Sequence, residues 1–182
     1  MKLYLIGMPG SGKTTLGRVL ADHYALPFFD LDAEIVARAG QVIPAIFLEH
    51  GEARFRQLEA EALREITARP GALVLATGGG TPCFHGNLEV LNTTGLTLWL
   101  DVPTPTLKAR LAAATEKNSR PLLVSTGPTE KWLLETLEVR TEFYARAQLR
   151  CKADACSVAA LAAPLAAAGF GPARASELPA GA

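Results

Sequence analysis

Near the start of the chain, Gly7-Met8-Pro9-Gly10-Ser11-Gly12-Lys13-Thr14 fits G-x-x-x-x-G-K-[ST] at every fixed position. A short apolar run, Leu3 to Ile6, leads into it, and Leu16, Val19 and Leu20 follow at helical spacing. Strand, glycine-rich turn and helix is the context in which this motif holds a phosphate chain. The glycines let successive backbone N–H groups turn inward, and the helix start adds the positive end of its dipole. Gly10, Ser11, Gly12, Lys13, Thr14 and Thr15 are therefore expected to bind a nucleoside triphosphate. Lys13 would bring an ammonium to the β- and γ-phosphates, and the Thr14 hydroxyl would be a ligand for Mg²⁺.

Two further stretches carry chemistry. Pro27 to Asp30 reads as a short strand running into the acidic pair Asp30-Leu31-Asp32. Phosphoryl transfer to a hydroxyl requires a group to hold that hydroxyl or accept its proton. Asp32 suits that role, and it equally suits the N-cap of the helix that follows. Asp30, two residues earlier, is expected on the same face of an extended segment and is assigned to Mg²⁺ through a water. The apolar run Ala72 to Thr77 ends in a threonine rather than a carboxylate, which leaves Asp30 as the acidic partner of Thr14. That run opens into Gly78-Gly79-Gly80, where backbone N–H groups can approach a ligand that a Cβ would displace.

The elements that must position these residues alternate. Strands are expected at Leu3–Ile6, Pro27–Asp30, Ala72–Thr77, Leu96–Leu100 and, more weakly, Leu149–Ala153. Helices are expected from the motif to His23–Ala25, from Asp32 to Gly40, over 43–50 and 52–68, near 87–92, and over 103–113, 130–147 and 158–168. Ile35 and Val36 should face inward in the second of these, and Leu107 and Leu111 in the helix over 103–113. Strands spaced by helices imply a parallel sheet covered on both faces, a three-layer α/β/α fold with five strands. Right-handed crossovers put every strand C-terminus on one edge, where ligands of such sheets bind. The turns at 7–14, 30–32 and 77–80 should therefore converge. Residues 115–126 have few periodic hydrophobics and read as a loop long enough to be a mobile lid.

The chain of 182 residues is read as one domain over 1–168, followed by a disordered Gly/Pro/Ala-rich tail over 169–182. Lysine plus arginine and aspartate plus glutamate number 18 each, so no basic field argues for nucleic acid. No long uncharged apolar run or signal-peptide layout argues for a membrane. Cys83, Cys151 and Cys156 form an odd set without C-x-x-C, which suits a reducing cytoplasm and points to neither a disulfide framework nor zinc.

GMPGSGKTTLG, FDLD, IFLEHGEARFRQLE, TGGGTP, RPLL at Arg120–Leu123 and Arg140 before FYARA together resemble the shikimate kinase family, over residues 2–147. The resemblance implies a P-loop kinase fold, ATP and Mg²⁺, and shikimate as the acceptor. It assigns Asp32 as the base, Lys13 and the lid residue Arg120 to the transferring phosphates, and Arg110 to packing on adenine. Arg56 and Arg140 would hold the substrate carboxylate, a task for a planar charged fork. Glu59, one helical turn from Arg56, is placed to orient it. Gly78, Gly79 and Gly80 would meet the substrate. Arg54, Arg64 and Arg69 read as solvated helix-face charges. The segment 154–157, where relatives hold adenine, departs from the pattern, and relatives are monomeric. A gluconate kinase shares the loop and the size, but lacks the triple glycine with G-E-x-x-F-R. A GTPase-like switch would carry N-K-x-D, and Glu116-Lys117-Asn118 is not one.

Overall fold

The apolar run ahead of the glycine-rich motif becomes the central strand of a five-stranded parallel sheet. The computed structural model describes residues 1–117, 130–152 and 156–171. Its strands are β1 (Lys2–Ile6), β2 (Phe28–Asp30), β3 (Leu73–Ala76), β4 (Leu96–Asp101) and β5 (Leu149–Lys152). Their order is β2-β3-β1-β4-β5, with Tyr4 beside Leu75 on one flank and Thr97 on the other. The helices are α1 (Lys13–Tyr24), α2 (Leu31–Ala39), α3 (Ile43–Ala68), α4 (Asn87–Thr94), α5 (Thr104–Lys117), α6 (Glu130–Tyr144) and α7 (Val158–Ala167).

Period-two alternation in the central strands builds the layers. Tyr4, Ile6, Leu73 and Leu75 face a core that takes Leu31 and Ile35 of α2, Leu63 and Ile66 of α3, and Leu107 of α5. Leu3, Leu5 and Val74 face the opposite core, filled by Leu20 of α1 and Leu161 and Leu165 of α7. Sheet and two helical coats make the expected three-layer fold.

The break expected between 43–50 and 52–68 is present, since α3 is two helices meeting at a kink where Gly51 is non-helical (φ 74°, ψ 175°), a conformation only glycine adopts readily. Several boundaries differ from expectation. Helix α5 continues to Lys117, through the first residues expected to begin the loop; alanine-rich turns extend a helix without apolar periodicity. Helix α6 stops at Tyr144, ahead of Ala147. The tail expected to be disordered from Gly169 is packed at its start, since Phe170 is buried and meets Tyr24 edge to face, and 172–182 lie outside the described residues. Asp30, rather than Asp32, caps α2, accepting a hydrogen bond from the Asp32 N–H.

The expectation of unpaired cysteines is corrected too. Cys151 and Cys156 are joined by a disulfide, their Cα atoms 5.6 Å apart. One lies in β5 and the other just ahead of α7. Spacing alone carries no sign of the pairing.

Candidate active site

The loop after β1 curls around its own lysine. Gly10 and Gly12 hold φ of 78° and 97°, and a Cβ on Gly7 would stand 2.7 Å from the Leu100 carbonyl oxygen. A backbone of this shape excludes other residues at those positions. Lys13 Nζ donates to the carbonyls of Gly7 and Met8, both at 2.9 Å, and to Ser11 Oγ at 3.4 Å. Burial pulls the Lys13 pKa down to about 8; Asp32 and Asp30 oppose the shift and Arg140 adds to it. Arg110 donates to the backbone oxygens of Gly10 and Ser11, so its guanidinium braces the loop from α5.

Thr14 Oγ1 donates to Asp30 Oδ2 at 2.7 Å. Asp30 therefore does two things at once, capping α2 with one oxygen and meeting Thr14 with the other. The expected shared face of an extended segment is not what joins Asp30 to Asp32, because the helix starts between them at Leu31. Among the described residues no group of three or more histidine, cysteine or carboxylate side chains is gathered for a metal. A hydroxyl beside one carboxylate is a hard, sparse donor set. It fits Mg²⁺, which keeps waters and takes phosphate oxygens, and does not fit a caged ion.

The three glycines after β3 lie against three different charged side chains. A Cβ on Gly78 would stand 3.4 Å from Asp32 Oδ1, one on Gly79 would stand 3.1 Å from Arg140 Nη1, and one on Gly80 would stand 2.7 Å from Arg56 Nη2. Carboxylate and two guanidinium groups are thus laid out in order along one short stretch of backbone. Any side chain at Gly80 would push Arg56 aside.

Arg56 is the most constrained of the three. Its Nη1 donates to Glu59 Oε2 at 2.9 Å, while Nε and Nη2 donate to Glu52 Oε1. Glu59 is fully buried and also accepts from Thr81 Oγ1 at 2.6 Å. The expected orienting role of Glu59 is therefore matched in geometry, with Glu52 and Thr81 added. Removing one partner from a buried ion pair strands the other. Arg56→Ala is accordingly expected to destabilise the fold by about 3–5 kcal/mol, read from denaturant midpoints. Arg56→Met with Glu59→Gln should recover much of that loss.

Other side chains hold the surrounding backbone. Tyr144, one turn after Arg140 on α6, donates from its hydroxyl to the Gly79 carbonyl at 2.5 Å. Burial raises the Tyr144 pKa far above the ordinary phenol value, so it stays a donor. Its neighbourhood FYARA was visible, but nothing local announces a bond to a residue 65 positions away. Arg64, read as a solvated charge, instead ties down the turn before α4 by donating to His85 O at 2.8 Å. Arg69 stacks over Phe29, its guanidinium carbon 4.6 Å from the ring centroid.

A cleft of about 910 Å³ opens along the phosphate loop and the acidic turn. Its walls include residues 9–16, Asp30, Asp32, Thr77, Gly78, Gly79, Arg110 and Cys156 to Val158. Thr15 lines it, as do Gly10, Ser11 and Gly12. Gly80, Arg56 and Arg140 are not among its lining residues; Arg56 lies against Gly80 and Arg140 against Gly79. Arg120 and the rest of the expected lid, 118–126, lie outside the described residues, as do 154 and 155 of the expected adenine segment.

A parallel sheet of this order, with a phosphate loop after its central strand and an acidic turn after β2, defines a P-loop kinase. The chain belongs to the shikimate kinase family, whose family model matches residues 9–166. It is 43% identical over 155 residues to shikimate kinase of Phocaeicola vulgatus, which covers 84% of this chain and 87% of that one. A crystal structure of shikimate kinase from Bacteroides thetaiotaomicron superposes with a TM-score of 0.82 at 35% identity, covering 93% of this chain and 99% of the other. Shikimate kinase from Acinetobacter baumannii, solved in complex with shikimate, gives 0.81 at 34% identity over 92% and 93% of the two chains. No helix of the described residues is long and apolar enough to cross a membrane.

Proposed function

We propose that this enzyme transfers the γ-phosphoryl group of ATP to the 3-hydroxyl of shikimate, giving shikimate 3-phosphate on the way to chorismate and the aromatic amino acids. The observation that supports the reading is the set of neighbours along Gly78-Gly79-Gly80, where Asp32, Arg140 and Arg56 each lie against one glycine and Pro9 of the phosphate loop lies against Gly79. A small ring with an acid and a hydroxyl calls for this combination of two guanidinium groups and one carboxylate.

Arg56 and Arg140 hold the substrate carboxylate. Asp32 accepts the proton of the 3-hydroxyl as its oxygen attacks the γ-phosphorus and the bond to the leaving ADP breaks. Lys13 holds the β- and γ-phosphate oxygens, and Arg120 closes over them from the lid. Gly10, Ser11, Gly12, Thr14 and Thr15 cradle the triphosphate, and Arg110 borders the base. Mg²⁺, held through Thr14 and Asp30, neutralises phosphate charge when bound. The enzyme acts as a monomer in the cytoplasm and engages neither nucleic acid nor membrane, in keeping with its balanced charge.

A coupled ADP-release assay with ATP and Mg²⁺ tests the reading. Shikimate should turn over and gluconate should not; turnover of gluconate alone overturns it. The methyl ester of shikimate should show a KM higher by about 10- to 100-fold, since each charge-assisted bond to the acid is worth about 1.5–3 kcal/mol. This substrate-side test leaves the buried Arg56–Glu59 pair intact.

A further inference from the structure

Phe84 plays no part in the reaction as described above, yet its ring covers the guanidinium of Arg56. The Arg56 Cζ lies 4.2 Å from the Phe84 ring centroid, against 5.1 Å for the ring of its own neighbour Phe55. Phe84 remains 36% exposed, so burying the ring is not what holds it there. Its backbone is held instead. The Phe84 carbonyl accepts from the Asn87 N–H, and buried Asn87 Nδ2 donates to the Thr81 carbonyl. His85, the next residue, takes the left-handed conformation (φ 52°), and Arg64 clamps its carbonyl. A strained non-glycine turn persists only where its surroundings over-determine it, and such turns gather at ligand sites.

The in-plane orientation of Arg56 is already set by Glu52 and Glu59. Those bonds leave rotation out of the plane resisted only by what lies on the faces. Of the two carboxylates, Glu52 is well exposed, so its hold is the weaker. A ring over one face supplies the missing constraint and excludes water from it, which strengthens the attraction of the cation for an acid.

We propose that Phe84 is a positioning residue for the substrate carboxylate, fixing the plane of Arg56 by cation–π stacking from the loop that follows the triple glycine. The same loop presents Thr81 to Glu59, so one turn braces the guanidinium from two directions. The inference rests on Arg56 binding the acid of shikimate, as proposed above.

The test is steady-state kinetics of wild type, Phe84→Ala, Phe84→Leu and Phe84→Tyr, each with a thermal unfolding scan. Phe84→Ala should raise the KM for shikimate about 3- to 30-fold, leave the KM for ATP unchanged and alter kcat by less than about twofold. Phe84→Tyr should restore the wild-type KM, whereas Phe84→Leu, which fills space without a quadrupole, should not. An unchanged KM in Phe84→Ala, full restoration by leucine, or equal loss for ATP and shikimate overturns the proposal. Failure of the wild-type enzyme to phosphorylate shikimate overturns both this inference and the reading beneath it. Wild-type turnover with an unresponsive Phe84→Ala overturns this inference alone.

Discussion

Replacing Asp32 by asparagine is expected to lower kcat by about 10²- to 10⁴-fold while the affinity for shikimate stays within about threefold. Asparagine keeps the size and one oxygen of the side chain, so it can still hold a hydroxyl, but it takes no proton. Asp32 is exposed at the start of α2, and Asp30 makes the cap. The amide also gives up the favourable placement of an anion at a helix N-terminus, about 0.3–1 kcal/mol. A second readout comes from Lys13, whose proton Asp32 helps to retain. Removing that charge should move the alkaline limb of the pH profile for ATP binding to lower pH. Undiminished turnover with normal binding would exclude Asp32 as the base.

The parts legible in the sequence are those whose chemistry is local in the chain. The motif from Gly7 to Thr14 dictates its own backbone, and the run from Leu73 to Ala76 is apolar on both faces because two helical layers cover it. Asp30-Leu31-Asp32 was legible as an acidic turn, but two aspartates around a helix start offer two possible caps. Only the fold decides between them, and it chooses Asp30. Arg56 was legible through its frame and Glu59, both within one helical turn. Phe84 and Tyr144 were not, because each acts on a residue brought near by the sheet rather than by the helix it follows. The cysteine pair escaped for the same reason. Its bond depends on how β5 and the start of α7 are placed, and residue types at those positions carry no trace of it.

Lys13→Met is expected to reduce kcat/KM by about 10²- to 10³-fold, as for loss of a preorganised group at the developing charge. The pH dependence then separates this residue from the rest of the loop. In the free enzyme burial holds the Lys13 pKa at about 8, below the ordinary 10.5. Phosphate oxygens beside the ammonium favour its charged form and raise that value. ATP binding above pH 8 should therefore take up a proton, and the Kd should rise by up to about tenfold per pH unit over that range. Calorimetry at pH 9 in two buffers of different ionisation enthalpy reads the uptake directly, and Lys13→Met should show none. The sign for stability is the reverse of that for a paired lysine. A cation whose folded pKa lies below its unfolded value costs stability fully at pH below about 8, and the cost fades as pH rises from there to 10.5. The free wild-type enzyme should gain stability across that window by up to about 3 kcal/mol, and the methionine variant should lack this gain. A flat difference between the two proteins from pH 7 to 10.5 would mean that Lys13 is not held near its neutral form by burial.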